Sequence, residues 1–432
     1  MSEALALPVP SLDGVLSTAG GDLAAASTDF GNRIRRRPAA VLHPASAADV
    51  AAAVRFGREN GLPVAARGAG HSVGGQALVR DGIVVALQSL GAVHHVGAGR
   101  MSVDAGAPWG TVVSAALRHG LVPPVLPDHL GLTVGGTLSV GGIGGSSHRY
   151  GCIADNVSDL DVVTPDGDLV TCSPAQRPEL FDAVRATQGR HGIITRATLR
   201  LVPAHRIARR YLLSYRDPGA LLADQRRVIA DGRFDHVLGQ ARAAAGGVRD
   251  RWVYQLEAMV AYTPPGIPDD AALLGDLAYS RGAEEIASTG YADFLGRLGP
   301  VEEQLRAAGS WQSHPHPRCT VLLPARHAEA VVGAVLTELS TEELGHGGSV
   351  LLYPIPTARL AAPHMARAAD AVSVVFGLQR TAPPGDGAIL ARMRRDNAAL
   401  VATAELLGGC GYCEPTGFHE KRGVAAVPAS AH

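Results

Sequence analysis

Between residues 38 and 203 the chain alternates short apolar runs with stretches of helical period. Ala40-Val41-Leu42 reads as a strand ended by Pro44. Ser46 then offers an N-cap to a helix continuing from Asp49 to Arg58. Gly61 stops that helix, and Leu62–Ala66 is the next buried strand. Ile83–Leu87 and Met101–Ala105 are two more strands, and Pro108-Trp109 opens a helix to Arg118, closed by His119-Gly120. This β-α-β texture predicts a compact α/β lobe up to about Val122. Strands return at Val157–Thr164 and Leu169–Cys172, joined by the turn Pro165–Asp168. A helix over 178–186 leads to an alternating strand from Gly192 to Leu201, which ends at Pro203.

From about His205 the texture changes to arginine-rich amphipathic helices mixed with strands at Trp252–Tyr262, Thr320–Leu323 and Val350–Tyr353. The expected organisation is an α+β fold: a first domain over 1–205, a second α+β domain over 206–375, and a segment 376–432 that returns to the first. The end, Val424–His432, reads as a loose tail.

At 432 residues, two domains are the natural expectation. A net charge of −1 gives no electrostatic case for nucleic acid or an anionic membrane surface, and 4% aromatics argues against base-stacking platforms. No apolar run reaches the roughly 18 residues of a membrane span. Arg35-Arg36-Arg37 is followed by Pro38 rather than an apolar stretch, so no leader is read and a cytoplasmic location is expected. Arginine supplies nearly all positive charge, Lys421 being the only lysine; with heavy Ala, Gly and Pro usage this has the look of a bacterial gene of high GC content. Five scattered cysteines fit reduced thiols. The pair in Cys410-Gly411-Tyr412-Cys413 lacks the second pair a zinc site needs, so no metal site is expected.

Two glycine-rich segments carry the chemistry. Arg67-Gly68-Ala69-Gly70-His71-Ser72-Val73-Gly74-Gly75-Gln76 follows the Leu62–Ala66 strand, and its glycines let successive N–H groups converge on an anion such as a pyrophosphate. His71 would face whatever that nest holds. Thr133–Ser146 is denser still in glycine. Such a run is unfit for an ordinary helix, and its backbone is expected to lie flat against a large ligand.

These two segments and the strand ending at Pro203 occur in the order seen in a known superfamily. They resemble the FAD-linked oxidases of the vanillyl-alcohol-oxidase / para-cresol-methylhydroxylase type, and most of all the cytokinin dehydrogenase branch. The likeness is dense over 38–203 and recurs faintly at His314-Pro315 and Leu352-Tyr353-Pro354. It implies a two-lobed FAD-binding domain with a separate α+β substrate domain. His71 matches the histidine bonded covalently to the flavin, and Ala66, Gly68, Ala69, Gly70, Ser72 and Gln76 match the loop lining the pyrophosphate. Thr133, Ser139, Ile143 and Ile194 match further flavin contacts, and Tyr412 a tyrosine near the flavin. Some relatives attach the flavin a second time through a cysteine. Gly131 stands there in this chain, which implies a single link through His71.

Asp128 matches an aspartate placed beside the flavin, where it would accept a proton as hydride leaves a C–H next to nitrogen for flavin N5. A turn-forming role after Pro127 and the neighbouring His129 as base are the alternatives. The implied partners are a small-molecule substrate and oxygen or another electron acceptor. Two departures point to a changed substrate face. His314-Pro315-His316-Pro317 places His316 where an aromatic residue packs on the substrate, and the tail after Phe418 lacks the family's closing segment. An alcohol, sugar or secondary-metabolite oxidase on the same scaffold, or a flavin-binding protein without turnover, are the rival readings.

Overall fold

Strand β1 (Val15–Ser17) pairs antiparallel with β2 (Ala40–His43), and β3 (Val64–Arg67) and β4 (Ile83–Ala86) complete a sheet of order β1-β2-β4-β3. The structure is a computed structural model, and it describes residues 10–243, 252–345 and 347–412. β4 runs parallel to both β2 and β3. Parallel neighbours need a crossover, supplied here by the helix Ala47–Glu59. Its start is over-determined. The Ser46 hydroxyl accepts from Asp49 N (3.3 Å), and the Asp49 carboxylate accepts from the backbone N–H of Asp13, Gly14, Ala45 and Ser46. β3 ends at Arg67 and so delivers the first glycine-rich loop.

The next sheet holds β5 (Val93–Gly97), β6 (Arg100–Asp104), β7 (Val157–Val163), β8 (Leu169–Cys172) and β9 (Ile193–Arg200), in the order β5-β6-β9-β7-β8 with antiparallel neighbours. Trp109 opens the helix Trp109–Leu117 and is almost fully buried against this layer.

One expectation fails here. Val134–Val140, inside the glycine-dense run, is an α-helix. Packing overrides propensity, because Val134 and Leu138 are fully buried and a Cβ on Gly135 would stand 2.7 Å from Ala105 Cβ. The missing side chains let the helix approach β6. Left-handed backbone at Gly141 and Gly142 then ends it.

Besides a short antiparallel pair of Leu121–Val122 with Val202–Pro203, eight strands form one antiparallel sheet: β10 (Ile207–Tyr215), β11 (His236–Ala243), β12 (Trp252–Tyr262), β13 (Glu285–Gly290), β14 (Cys319–Pro324), β15 (Ser349–Pro356), β16 (Val372–Gln379) and β17 (Cys410–Gly411). Their order is β13-β10-β12-β11-β15-β16-β14-β17. Helices Pro218–Asp231, Ala325–Glu338 and Gly387–Leu406 contribute Leu221, Val332 and Leu400 to the core on this sheet. β16 runs through position 375, so the sheet continues past that expected boundary. The chain reaches back to the first lobe at Tyr412, whose hydroxyl accepts from Gly142 N (3.1 Å). Leu238, Leu322, Tyr353, Ile355 and Val375 of the sheet share a hydrophobic cluster with Trp109 and Leu138. Cys413, Lys421, the segment after Phe418 and the tail 424–432 lie outside the described residues.

Candidate active site

The two glycine-rich segments meet at Gly68. A Cβ there would lie 2.1 Å from the Thr133 hydroxyl oxygen, so only glycine lets the loop lie against the start of the Val134–Val140 helix. Gly70 has φ +74°, and its Cβ position is 2.6 Å from the Arg67 guanidinium, which folds beneath the loop. Gln76 braces the far end by accepting from Gly74 N (3.0 Å), and Ser72 O accepts from Phe30 N (3.0 Å). Ala66 lies at the end of β3, and Ala69 is half-buried in the loop.

His71 sits among rings. Its centroid is 4.7 Å from Phe30, 4.5 Å from His129 and 6.1 Å from Trp311. Its Nε2 lies 3.1 Å from His129 Nε2, and the Glu302 carboxylate engages His129 Nδ1. His71 Nδ1 is buried and makes no hydrogen bond of good geometry among the described residues. Burial, with the charges of His129, Arg318 and Arg306 adding, pushes the His71 pKa down to about 3, so the ring is neutral at ordinary pH.

Asp128 and His129 are adjacent in sequence yet face different partners. Asp128 Oδ1 accepts from Arg297 Nη2 (2.9 Å), Arg297 Nε donates to Glu257 Oε1 (3.0 Å), and Arg210 Nε donates to the same oxygen (2.7 Å). Burial raises the Asp128 pKa; Arg297 opposes and Glu257 adds to the rise. Burial works against the Arg297 charge too, but its two carboxylates outweigh that and hold it protonated. Asp128 and Arg297 line a pocket with His236, Met259, Tyr291 and Phe294.

Thr133 precedes the helix, and its carbonyl accepts from the Thr137 hydroxyl (2.9 Å), which in turn receives Trp109 Nε1–H (2.9 Å). Ser139 O accepts from Gln188 N (2.6 Å), which ties the helix to the turn before β9. Ile143 and Ile194 pack with the cluster around Leu138. His316 is a correction to the sequence reading. It is buried and stacked on Phe30 (4.5 Å, 12°). Its Nε2 bonds Trp311 O (3.0 Å) and its Nδ1 pairs with the Thr381 hydroxyl (3.3 Å), so it closes the core instead of facing a substrate. Sequence reasoning missed Phe30, Glu257, Arg297, Glu302, Trp311 and Arg318. They reach the site from distant segments, and none stands in a local pattern.

These residues fit a dinucleotide flavin. The loop turns at the left-handed Gly70 with the Arg67 guanidinium packed against it, and the buried Nδ1 of His71 has no hydrogen-bond partner among the described residues. Among the described residues no cluster of three or more His, Cys, Asp or Glu could hold a metal ion, and no helix is long and apolar enough to cross a membrane.

Comparison with known proteins agrees with the geometry. Residues 38–173 match a family model described as FAD binding domain, and 240–409 match one described as cytokinin dehydrogenase 1, FAD and cytokinin binding. An uncharacterised oxidoreductase of the fasciation locus of Rhodococcoides fascians is 41% identical over 97% of this chain and 92% of that protein. Cytokinin dehydrogenase 10 of Oryza sativa subsp. japonica is 35% identical over 89% of this chain and 78% of that protein. The crystal structure of 6-hydroxy-D-nicotine oxidase from Arthrobacter nicotinovorans superposes with a TM-score of 0.71 at 25% identity, covering 93% of this chain and 88% of that one.

Proposed function

Because the chain belongs to the cytokinin dehydrogenase family of FAD-dependent oxidoreductases, we propose that it oxidises a small amine at a C–H bond next to nitrogen, with Asp128 as the proton acceptor and FAD held by one covalent link through His71. FAD, when bound, supplies the hydride acceptor, and oxygen or another acceptor would reoxidise it. The names of the relatives point to cytokinins and 6-hydroxy-D-nicotine as their own substrates, both nitrogen compounds.

The observation that carries the cofactor reading is the buried Nδ1 of a neutral His71, which has no hydrogen-bond partner among the described residues. A neutral imidazole nitrogen keeps its lone pair for bond formation. Gly131 supports a single link, since a Cβ there would stand 2.7 Å from the His129 ring and any larger residue would displace it. Ala66, Gly68, Ala69, Gly70, Ser72 and Gln76 would line the pyrophosphate, with Thr133, Ser139, Ile143, Ile194 and Tyr412 along the rest of the cofactor.

Asp128 takes the proton on the carboxylate oxygen that Arg297 leaves free. Glu257, shared with Arg210, still pairs with the Arg297 guanidinium once Asp128 is neutral. His129 is less available to a substrate, because Glu302 and His71 occupy both its nitrogens. No disulfide joins the four described cysteines, in keeping with a cytoplasmic setting.

Two variants test this reading. The wild type should keep its yellow colour through acid precipitation and His71→Ala should lose it; a pellet from His71→Ala that stays yellow would refute the link. Asp128→Asn should slow amine oxidation at least a hundredfold at unchanged flavin content. Full retained activity removes Asp128 from the chemistry and favours the alcohol or sugar oxidase reading.

A further inference from the structure

Arginines in the interior of this chain are matched. Arg185 pairs with Asp182 and two carbonyls, Arg297 with Asp128 and Glu257, and Arg380 with Asp396, Asn397 and Met393 O. Arg318 breaks that pattern. It is half-buried, its guanidinium carbon is 5.5 Å from the Phe30 ring centroid, and among the described residues it has no carboxylate or carbonyl partner. Its backbone is not adrift. Arg318 N donates to His316 O (2.8 Å), Asn397 Nδ2 donates to Pro317 O (3.0 Å), and β14 begins at the next residue.

The surroundings are cationic. Arg306 lies over Trp311 at 5.3 Å and adds a second positive charge. The nearby acids are committed elsewhere. Glu302 holds His129; Asp29 Oδ1 accepts from the backbone of Arg33 and Ile34, and its Oδ2, without a hydrogen-bond partner among the described residues, does not reach Arg318 either. Arg318 is near enough to depress the pKa of both His71 and His316, and burial lowers its own to about 10. An unmatched guanidinium in such a place is costly unless a ligand brings the opposite charge.

We propose that Arg318 receives an anionic group, a carboxylate or phosphate, of the small molecule that binds against Phe30 and His71, so that this site selects negatively charged substrates. The dinucleotide is the other source of such a group. Its pyrophosphate, however, already has the Gly68–Gly70 backbone and the Arg67 guanidinium beneath the loop. The inference rests on the reading that His71 faces the flavin. It deepens that reading, since the residue after the second His-Pro pair, and not His316, then sets the character of the substrate.

The test uses the flavin-loaded protein with benzoate and its neutral isostere benzamide, each titrated through the change in flavin absorbance. Benzoate should bind the wild type at least tenfold more tightly than benzamide. Arg318→Gln should erase that preference at unchanged flavin content and melting temperature, and Arg318→Lys should restore part of it. Equal benzoate affinity in wild type and Arg318→Gln overturns the proposal. So does loss of flavin from Arg318→Gln with benzoate affinity intact in the flavin-bearing fraction, which would assign the anion to the dinucleotide. Acid precipitation of the wild type reads the covalent link separately, so failure of one reading is distinguishable from failure of the other.

Discussion

His71 and His129 face each other through their Nε2 atoms at 3.1 Å, so one ring donates there and the other accepts. When His129 is neutral, the Glu302 carboxylate accepts from its Nδ1–H, which leaves His129 Nε2 as the acceptor and gives His71 its proton on Nε2. The lone pair of His71 is thereby set on the buried Nδ1. Glu302→Gln can present an amide N–H to His129 and reverse the chain of donors. We expect covalent flavin to form roughly tenfold more slowly, with non-covalent FAD still bound. Acid-stable flavin against total flavin over time measures it, and an unchanged rate removes Glu302 from the relay.

Glu257 sets the basicity of Asp128 from across the Arg297 bridge. It is a like charge that raises the Asp128 pKa. Glu257→Gln should lower it. Asp128 acts only when deprotonated, so the acidic limb of kcat/KM should move to lower pH, by about one unit. A limb that stays in place would show that Asp128 is not the titrating base.

Gly68→Ala brings a methyl group against the Thr133 hydroxyl, where the space is 2.1 Å. The variant should lose about 1–3 kcal/mol of stability and much of its flavin. Thr133→Ala in the same chain should recover part of both, because it removes the obstructing oxygen. Thermal melts and flavin-to-protein ratio are the readouts, and no recovery would mean that the strain lies elsewhere in the loop.

His316 carries a pH signature. Burial, and Arg318 after it, push its pKa down to about 4 from the ordinary 6.5. The unfolded chain therefore binds a proton below 6.5 that the folded chain refuses, and stability falls as pH drops from 6.5 toward 4. Against His316→Gln, the wild type should lose roughly 2.5 kcal/mol more between pH 7 and pH 4.5. Denaturant melts across that range test it, and parallel curves would contradict it.

The strands that frame the site were legible because each is a short apolar run bounded by Pro or Gly, as at Ala40–His43 and Ile83–Ala86. The Val134–Val140 helix was not. Its glycines argue against a helix locally, and the reason they are tolerated is Ala105, some thirty residues earlier. Sequence offered His129 as an alternative base beside Asp128, but what separates the two is their partners, Glu302 and Arg297, well beyond any local window. The two His-Pro pairs were equally readable in sequence. Only burial distinguishes the inward His316 from the unmatched Arg318.

The hydrophobic cluster that joins Trp109 and Leu138 to Leu238, Leu322, Tyr353 and Val375 has a consequence for how the molecule holds together. Each lobe has a core of its own, but this further cluster is closed only by both together. A fragment cut near 205 would expose the face on which the glycine-rich helix rests, and the severed sheet would present matching apolar side chains to solvent. The glycine-rich helix and the large sheet thus stabilise each other through shared buried surface, and either lobe alone should be less stable than it is in the intact chain.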